Sequence, residues 1–290
     1  MLGRDDIVLC AGTLLPTGLP ERARAAHAAG YTGVSLWMAD IHRARAEGMT
    51  DAGIRALLDD HELEIAELDC LTSWLPGSGP PVDAPFEIDD AMRASDEEFF
   101  AIAQSIGGRS VNIAEIWGSQ TSLDASVEAF ARVCDRAAEH GLLVHLEFLP
   151  WSAFPNLNAA WEVVRIADRP NGGLMIDSWH CARSTTTIED LAAIPGERVL
   201  GVQLCDALQE AAPEITDETM HARLLPGAGA AHVVEIVQTL DAIGCTAPIG
   251  VEVFSDELWA MDPGDAALAS FTATAQVLAA ARSSTTRRSL

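Results

Sequence analysis

Along the chain, short runs of β-branched and aliphatic residues alternate eight times with alanine-rich stretches whose apolar positions recur every three or four residues. The runs at 7–14, 33–37, 64–71, 110–117, 142–149, 173–178, 199–205 and 248–254 predict strands. The stretches at roughly 20–29, 50–61, 90–106, 123–140, 157–168, 188–193, 231–243 and 264–282 predict helices. Thr50, Asp51 and Ser122 can cap helix starts, and Gly30, Gly107, Gly141 and Gly244 follow helix ends. Eight β-α pairs with no Pro/Ser-rich linker predict an α/β fold, a single (β/α)8 TIM barrel over 1–281, with the segment 282–290 as a frayed tail. An open doubly wound sheet is the alternative, and it would set the eighth strand apart from the fifth. The connections 72–90 and 207–230 are longer than a barrel needs. Both follow strands, which places them on the C-terminal face as candidate lids.

Four of the strand runs enclose an acceptor side chain: Glu147 after Leu143-Val144-His145-Leu146, Asp177 after Leu174-Met175-Ile176, Gln203 between Val202 and Leu204, and Glu252 between Val251 and Val253. A lone buried carboxylate costs several kcal/mol unless it is paired, protonated or bound to a metal. Strand alternation puts Glu147 on the face of His145, Asp177 with Met175, Gln203 with Gly201 and Glu252 with Gly250, so all four point inward near strand C-termini. The glycines are expected to leave space one layer below. Three carboxylates and an amide on four consecutive strands suggest one divalent ion, Mn²⁺, Mg²⁺ or Co²⁺ before Zn²⁺. The plainer alternative is a set of polar strand ends bonded to backbone or to one another.

Composition narrows the partners. The 290 residues are 49% hydrophobic with a formal net charge of −25, which argues against nucleic acid or an anionic membrane surface. No basic, apolar leader and no run of about 20 apolar residues is visible, so a cytoplasmic protein is expected. A homo-oligomer is compatible with the sequence. The six cysteines are scattered and read as small buried hydrophobes; Cys181 and Cys205, beside two of the acceptors, are weaker candidates as thiol ligands.

The acceptor in strand five, Asp177-x-Trp179-His180, Gln203 followed three residues on by Asp206, the stretch Arg223-Leu-Leu-Pro-Gly-x-Gly229 and Glu252 together resemble the xylose-isomerase-like TIM-barrel superfamily, most strongly over 142–254. That superfamily holds sugar-phosphate isomerases and epimerases, keto-sugar epimerases, and inosose and 3-dehydroshikimate dehydratases. The resemblance implies Glu147, Asp177, Gln203 and Glu252 as metal ligands, Glu147 and Glu252 as the proton-exchanging pair, and His180 and Arg223 as holders of substrate oxygens. Gln203 departs from the histidine of many members, and some dehydratases resemble this chain in using glutamine there.

The chemistry expected first is isomerisation or epimerisation of a keto-sugar, polyol ketone or sugar phosphate through a metal-stabilised enediolate. If a β-hydroxyl is expelled instead, with His180 as acid or base, the site is a lyase of a cyclic keto-polyol. His145, one layer under Glu147, reads as a buried orienting partner. Arg183 and Arg223 are candidates for a substrate carboxylate or phosphate. Trp37, Trp74, Trp117, Trp151 and Trp179 fall at strand ends, where indoles can stack on sugar C–H faces. Glu67, Asp69 and Glu115 could bond substrate hydroxyls, and Pro226-Gly-Ala-Gly229 could cradle a phosphate. A metal-cluster DNA-repair endonuclease fits poorly with eight scattered histidines and the acidic charge. A non-catalytic binding subunit is the remaining class.

Overall fold

In the computed structural model, which describes residues 1–78 and 94–285, eight parallel strands close into one barrel in chain order. They are β1 (Ile7–Leu9), β2 (Gly33–Trp37), β3 (Glu64–Leu71), β4 (Ser110–Ala114), β5 (Leu143–Glu147), β6 (Gly172–Asp177), β7 (Val199–Leu204) and β8 (Ile249–Val251). β8 pairs with β1 from Ile7↔Ile249 to Leu9↔Val251, which rules out the open sheet. Closure also sets Glu252 on the same rim as Glu147.

The helices are α1 (Leu19–Ala29), α2 (Met38–Ala46), α3 (Asp51–Asp59), α4 (Asp96–Ile106), α5 (Leu123–Glu139), α6 (Leu157–Ala167), α7 (Ser178–Arg183), α8 (Ile188–Ala192), α9 (Ile215–His221), α10 (Val233–Ala242), α11 (Asp256–Trp259) and α12 (Pro263–Thr285). Thr50 and Ser122 cap α3 and α5 through their hydroxyls, as expected. Gly30 closes α1 with φ 103°, a conformation that an L side chain resists. The helices α2, α7, α9 and α11 were not expected; each is an extra short helix in the connection after a strand, β2, β6, β7 and β8 respectively.

Several strands end earlier than the apolar runs suggest. β1 stops at Leu9 because residues 11–14 wind into a 3-10 turn held by side chains. Ala11 N donates to Ser35 Oγ (2.9 Å), while Thr13 Oγ1 donates to Val251 O (2.8 Å) and accepts from Val253 N (2.9 Å). Most of the candidate lid 72–90 and the predicted start of the following helix fall in 79–93, outside the described residues. At the other end, α12 runs to Thr285, and Arg282 donates to Asp241 (3.2 Å) and Asp5 (3.1 Å), so residues 282–285 continue the helix; 286–290 lie outside the described residues.

Leu68, Val111, Ile113, Val144, Leu146, Leu174 and Ile176 are fully buried in the layer between strands and helices. Inside the barrel the packing is partly polar. His145 places Nδ1 3.0 Å from Asn112 Oδ1 and Nε2 3.1 Å from Ser110 Oγ and 3.3 Å from Glu67 Oε2. Ser110 Oγ spends its own proton on Ala66 O (2.8 Å), so the ring has acceptor atoms beside both nitrogens. The inward glycines do not leave the space expected of them. A Cβ on Gly201 would stand 2.6 Å from Met175 Cε, and one on Gly250 would stand 2.9 Å from Cys10 Sγ, so these neighbours fill the layer. No helix among the described residues is long and apolar enough to cross a membrane.

One buried ion pair joins α1 to α2. Arg22, 1% exposed, donates from Nη1 to Asp40 Oδ2 (2.9 Å), from Nη2 to Asp40 Oδ1 (2.5 Å) and to Thr17 O (3.2 Å), and Asp40 also accepts from Trp37 N (2.9 Å). Removing one partner of such a pair strands the other charge. Asp40→Ala is therefore expected to destabilise the fold by about 3–5 kcal/mol, and the double change Arg22→Met with Asp40→Leu by much less. Urea unfolding followed by circular dichroism measures both; equal losses would remove the stranded charge as the cause.

Candidate active site

At the C-terminal rim the end of β6 and the start of α7 share one residue. Asp177 finishes the strand and caps the helix, its Oδ1 accepting from Trp179 N (2.6 Å) and His180 N (3.2 Å). The cap fixes the first turn, and that turn carries His180 inward. His180 Nε2 stands 3.3 Å from Glu147 Oε1 and 3.8 Å from Asp177 Oδ2, so the Asp-x-Trp-His spacing brings three donors within 4.8 Å of one another.

Glu147 ends β5, and its Oε2 accepts from Asn112 Nδ2 (2.7 Å), an amide that also donates to Asp69 Oδ1 (2.9 Å). Gln203 in β7 lies between Asp177 and Gly250 in the strand register, and Glu252 directly follows β8. Five buried side-chain atoms among the described residues lack a hydrogen-bond partner, and four belong here: Gln203 Oε1 and Nε2, Glu252 Oε1 and His180 Nδ1. Each such group costs about 1–3 kcal/mol. Unmet acceptors beside carboxylates are a donor set that suits a divalent cation.

Arg223, from the loop after β7, is the local positive charge. Its Nη1 donates to Asp177 Oδ2 (2.7 Å) and lies 3.6 Å from Glu252 Oε2. Nη2 donates to Thr219 Oγ1 (2.8 Å), and the guanidinium lies 4.8 Å from the Phe254 ring centre and 5.4 Å from that of Trp179. Burial would raise the Asp177 pKa, but Arg223 and then His180 outweigh it and hold the carboxyl below the usual range. Glu252 goes the other way, well up, through burial first and Asp69 next, against the pull of Arg223. Asp69 is also pushed well up by burial, Glu147 and Glu67.

Not every residue expected at the site arrives there. Arg183 is committed to Glu218 of α9, at 2.8 Å from Nε and 2.5 Å from Nη2, and to Leu208 O (2.8 Å). Glu115 turns back to the backbone, accepting from Trp117 N (2.9 Å), Gly118 N (3.1 Å), Ala153 N (2.9 Å) and Ser78 Oγ (3.1 Å). Those bonds outweigh burial and hold its pKa below the ordinary value. The glycine-rich turn before α10 has its own anion: Asp206 accepts from Ala207 N (2.9 Å), Gly227 N (3.0 Å) and Ala231 N (2.7 Å), which takes the amides a phosphate would need. Cys181 and Cys205 are buried thiols with pKa pushed up by burial, and Cys205 Sγ accepts from Arg223 Nη1 (3.7 Å).

Among the tryptophans, Trp74 and Trp179 are fully packed, with indole nitrogens donating to Ala114 O and to Glu218. Trp37, Trp117 and Trp151 are half-buried, and Trp151 lies 5.8 Å from the His180 ring. Sequence reasoning passed over Asn112, Glu218 and Asp206 as organisers. Asn112 had a readable signal, a polar residue between Val111 and Ile113 in a strand run, the same pattern that marked the four acceptors.

The barrel fold agrees with what comparison with known proteins finds. The 3-dehydroshikimate dehydratase of Pseudomonas aeruginosa is 29% identical over 245 residues, 82% of this chain and 36% of that protein. The inosose isomerase of Bacillus subtilis is 28% identical over 144 residues, 49% of this chain and 51% of that protein. The chain thus spans about a third of the length of the dehydratase and half of the isomerase. Among solved structures, the IOLI protein with a bound zinc atom superposes with a TM-score of 0.81 at 18% identity, covering 94% of this chain and 98% of that one, a likeness of fold. The family description "Xylose isomerase-like TIM barrel" matches residues 23–277, and the chain belongs to that family.

Proposed function

We propose that this chain is a divalent-metal-dependent enzyme that moves a proton at the carbon beside a ketone in a keto-sugar or polyol, as an isomerase or epimerase. The observation that carries the reading is the pair Glu147 and Glu252, buried at the two ends of the β5–β8 arc of one rim, with unmet acceptors of Gln203 and Glu252 between and beside them. Glu147, Asp177, Gln203 and Glu252 would hold the ion; their oxygen donors favour Mn²⁺, Mg²⁺ or Co²⁺, while the zinc bound in the IOLI protein makes Zn²⁺ a competitor. When bound, the ion supplies Lewis acidity that makes the C–H beside the carbonyl acidic.

The chain's own groups do the rest. Asn112 holds Glu147 Oε2, which leaves Oε1 to take the substrate proton. His180 Nε2, 3.3 Å from that oxygen, can pass a proton to or from it. Glu252 stands ready to return a proton from the other side. Trp37, Trp117 and Trp151 line the rim, where their indoles exclude water and stack on C–H faces. The chain's charge of −25 leaves a small molecule, not nucleic acid or membrane, as its partner.

A second reading, a lyase, has its own support. The dehydratase relative matches 82% of the chain against 49% for the isomerase, and the His180–Glu147 contact sets an imidazole where it can protonate a departing hydroxyl. In that reaction the C–H bond gives up its proton to Glu147, the pair forms C=C, and the C–O bond breaks to release water.

Metal-loaded protein incubated with keto-sugars, inososes and 3-dehydroshikimate in D₂O separates the two by NMR. Deuterium beside the carbonyl without loss of mass marks the isomerase, an alkene signal marks the lyase, and no exchange with any substrate refutes the enzyme. Glu252→Gln is expected to lower turnover by about 10²–10⁴-fold, and a fully active variant would take Glu252 out of the mechanism. Calorimetric titration of apo protein with Mn²⁺ is expected to give one ion per chain, with Gln203→Ala weakening affinity about tenfold or more. Unchanged affinity would remove Gln203 from the donor set.

A further inference from the structure

Gln203 is the neutral member of the donor set, and only one end of it suits an ion. The side chain is 1% exposed, and neither Oε1 nor Nε2 has a hydrogen-bond partner. A divalent cation can take the amide oxygen. Whichever way the amide is turned, its other end is an NH₂ group with two hydrogens and no lone pair to give, so an ion leaves it unmatched. A buried donor in that position costs free energy until an acceptor reaches it.

Among the described residues no side chain supplies that acceptor. In the strand register Gln203 lies between Asp177 of β6 and Gly250 of β8. Asp177 already accepts from Trp179 N, His180 N and Arg223 Nη1. Gly250 brings no side chain, and a Cβ there would stand 3.4 Å from Gln203 Cγ. Glu252 Oε1 is itself without a partner, so this unmet acceptor and the unmet donor do not bond each other. The neighbouring donors are engaged, Asn112 Nδ2 with Asp69 and Glu147, and Arg223 with Asp177 and Thr219. Nε2 of Gln203, on the inward face of β7, is the donor that remains for a molecule entering the mouth.

We propose that Gln203 is a catalytic residue with two ends, its oxygen for the ion and its Nε2 for the ketone oxygen of the substrate. The assignment rests on the proton-moving reading of this site and adds the group that receives the displaced charge. In that reaction the C–H bond beside the ketone breaks and its proton passes to Glu147; the electron pair moves into the C–C bond, and the C=O pair moves onto oxygen. That oxygen gains negative charge in a mouth lined by Asp69, Glu147, Asp177 and Glu252, all under a tenth exposed. An N–H already fixed beside the atom where charge develops lowers the barrier with no rearrangement at the moment of reaction. An imidazole in the same place could give the ion one nitrogen, but its second nitrogen lies across the ring and points away.

Glycolohydroxamate, a planar hydroxy-oxyanion that copies the ketone after loss of its proton, probes this without turnover. Calorimetry on Mn²⁺-loaded wild type is expected to show one hydroxamate per chain. Gln203→Glu keeps a ligand oxygen and loses the N–H; Gln203→His keeps a neutral ligand and loses it too. Both are expected to hold Mn²⁺ within about tenfold of wild type and to bind the hydroxamate about tenfold to a hundredfold more weakly. Only one of the two adds charge, so equal losses point to the N–H. Wild type that binds no hydroxamate, weakening in the glutamate variant alone, unchanged binding in either variant, or loss of Mn²⁺ from both overturns the proposal. In ¹⁵N-labelled wild type loaded with Mg²⁺, the Gln203 side-chain amide protons are expected to move downfield when the hydroxamate is added; unmoved signals overturn the proposal, and this arm stands if a variant fails to fold. Deuterium exchange into a keto-sugar with neither arm fulfilled would remove this role of Gln203 and leave the proton-moving reading in place. Gln203-dependent hydroxamate binding without exchange into any substrate would do the reverse.

Discussion

Desolvation of acidic groups at one end of the barrel is the constraint on which the rest of the architecture depends. Asp69, Glu147, Asp177 and Glu252 are each under a tenth exposed, and among the described residues the guanidinium of Arg223 pairs with two of them, Asp177 and Glu252. Burial of this kind is affordable only if the surroundings are fixed in advance, since each carboxylate must find its donor without water to correct errors. The closed barrel supplies that fixity. Backbone amides at the start of α7 hold Asp177, and Asn112 holds Asp69 and Glu147 together.

The support extends below the rim. His145, Ser110 and Glu67 form a polar column in the barrel interior that meets the site through Asn112. A purely aliphatic floor would leave the Asn112 amide free to turn over, and with it the orientation of Glu147. The orienting role expected of His145 is thus exerted one residue removed, through an amide that hydrogen-bonds in three directions.

The fold was legible because a barrel's strands are read from apolar runs, which fix number and order even when their ends are off. Ends such as those of β1 and β8 were misread where side chains, Thr13 and Ser35 among them, replace ladder bonds across long sequence separations. The four inward acceptors were legible for the same reason as the strands: a polar residue in an apolar run is conspicuous. Arg183 and Glu115 show the limit of that method. Position at a rim was readable, but whether a side chain faces the mouth or a neighbouring loop depends on partners such as Glu218 and the Ala153 amide, which no local pattern reveals.

Glu115 carries a consequence for how such a barrel could be remade. Its one carboxyl group gathers Ser78 from the loop after β3, Trp117 and Gly118 from the loop after β4, and Ala153 from the loop after β5. Three connections that look like separate modules are therefore tied into one piece of wall. Recombination that grafts any of them singly would import a loop without its anchor, so the smallest unit that can be exchanged between such barrels on this side is the set of three, transferred with the glutamate.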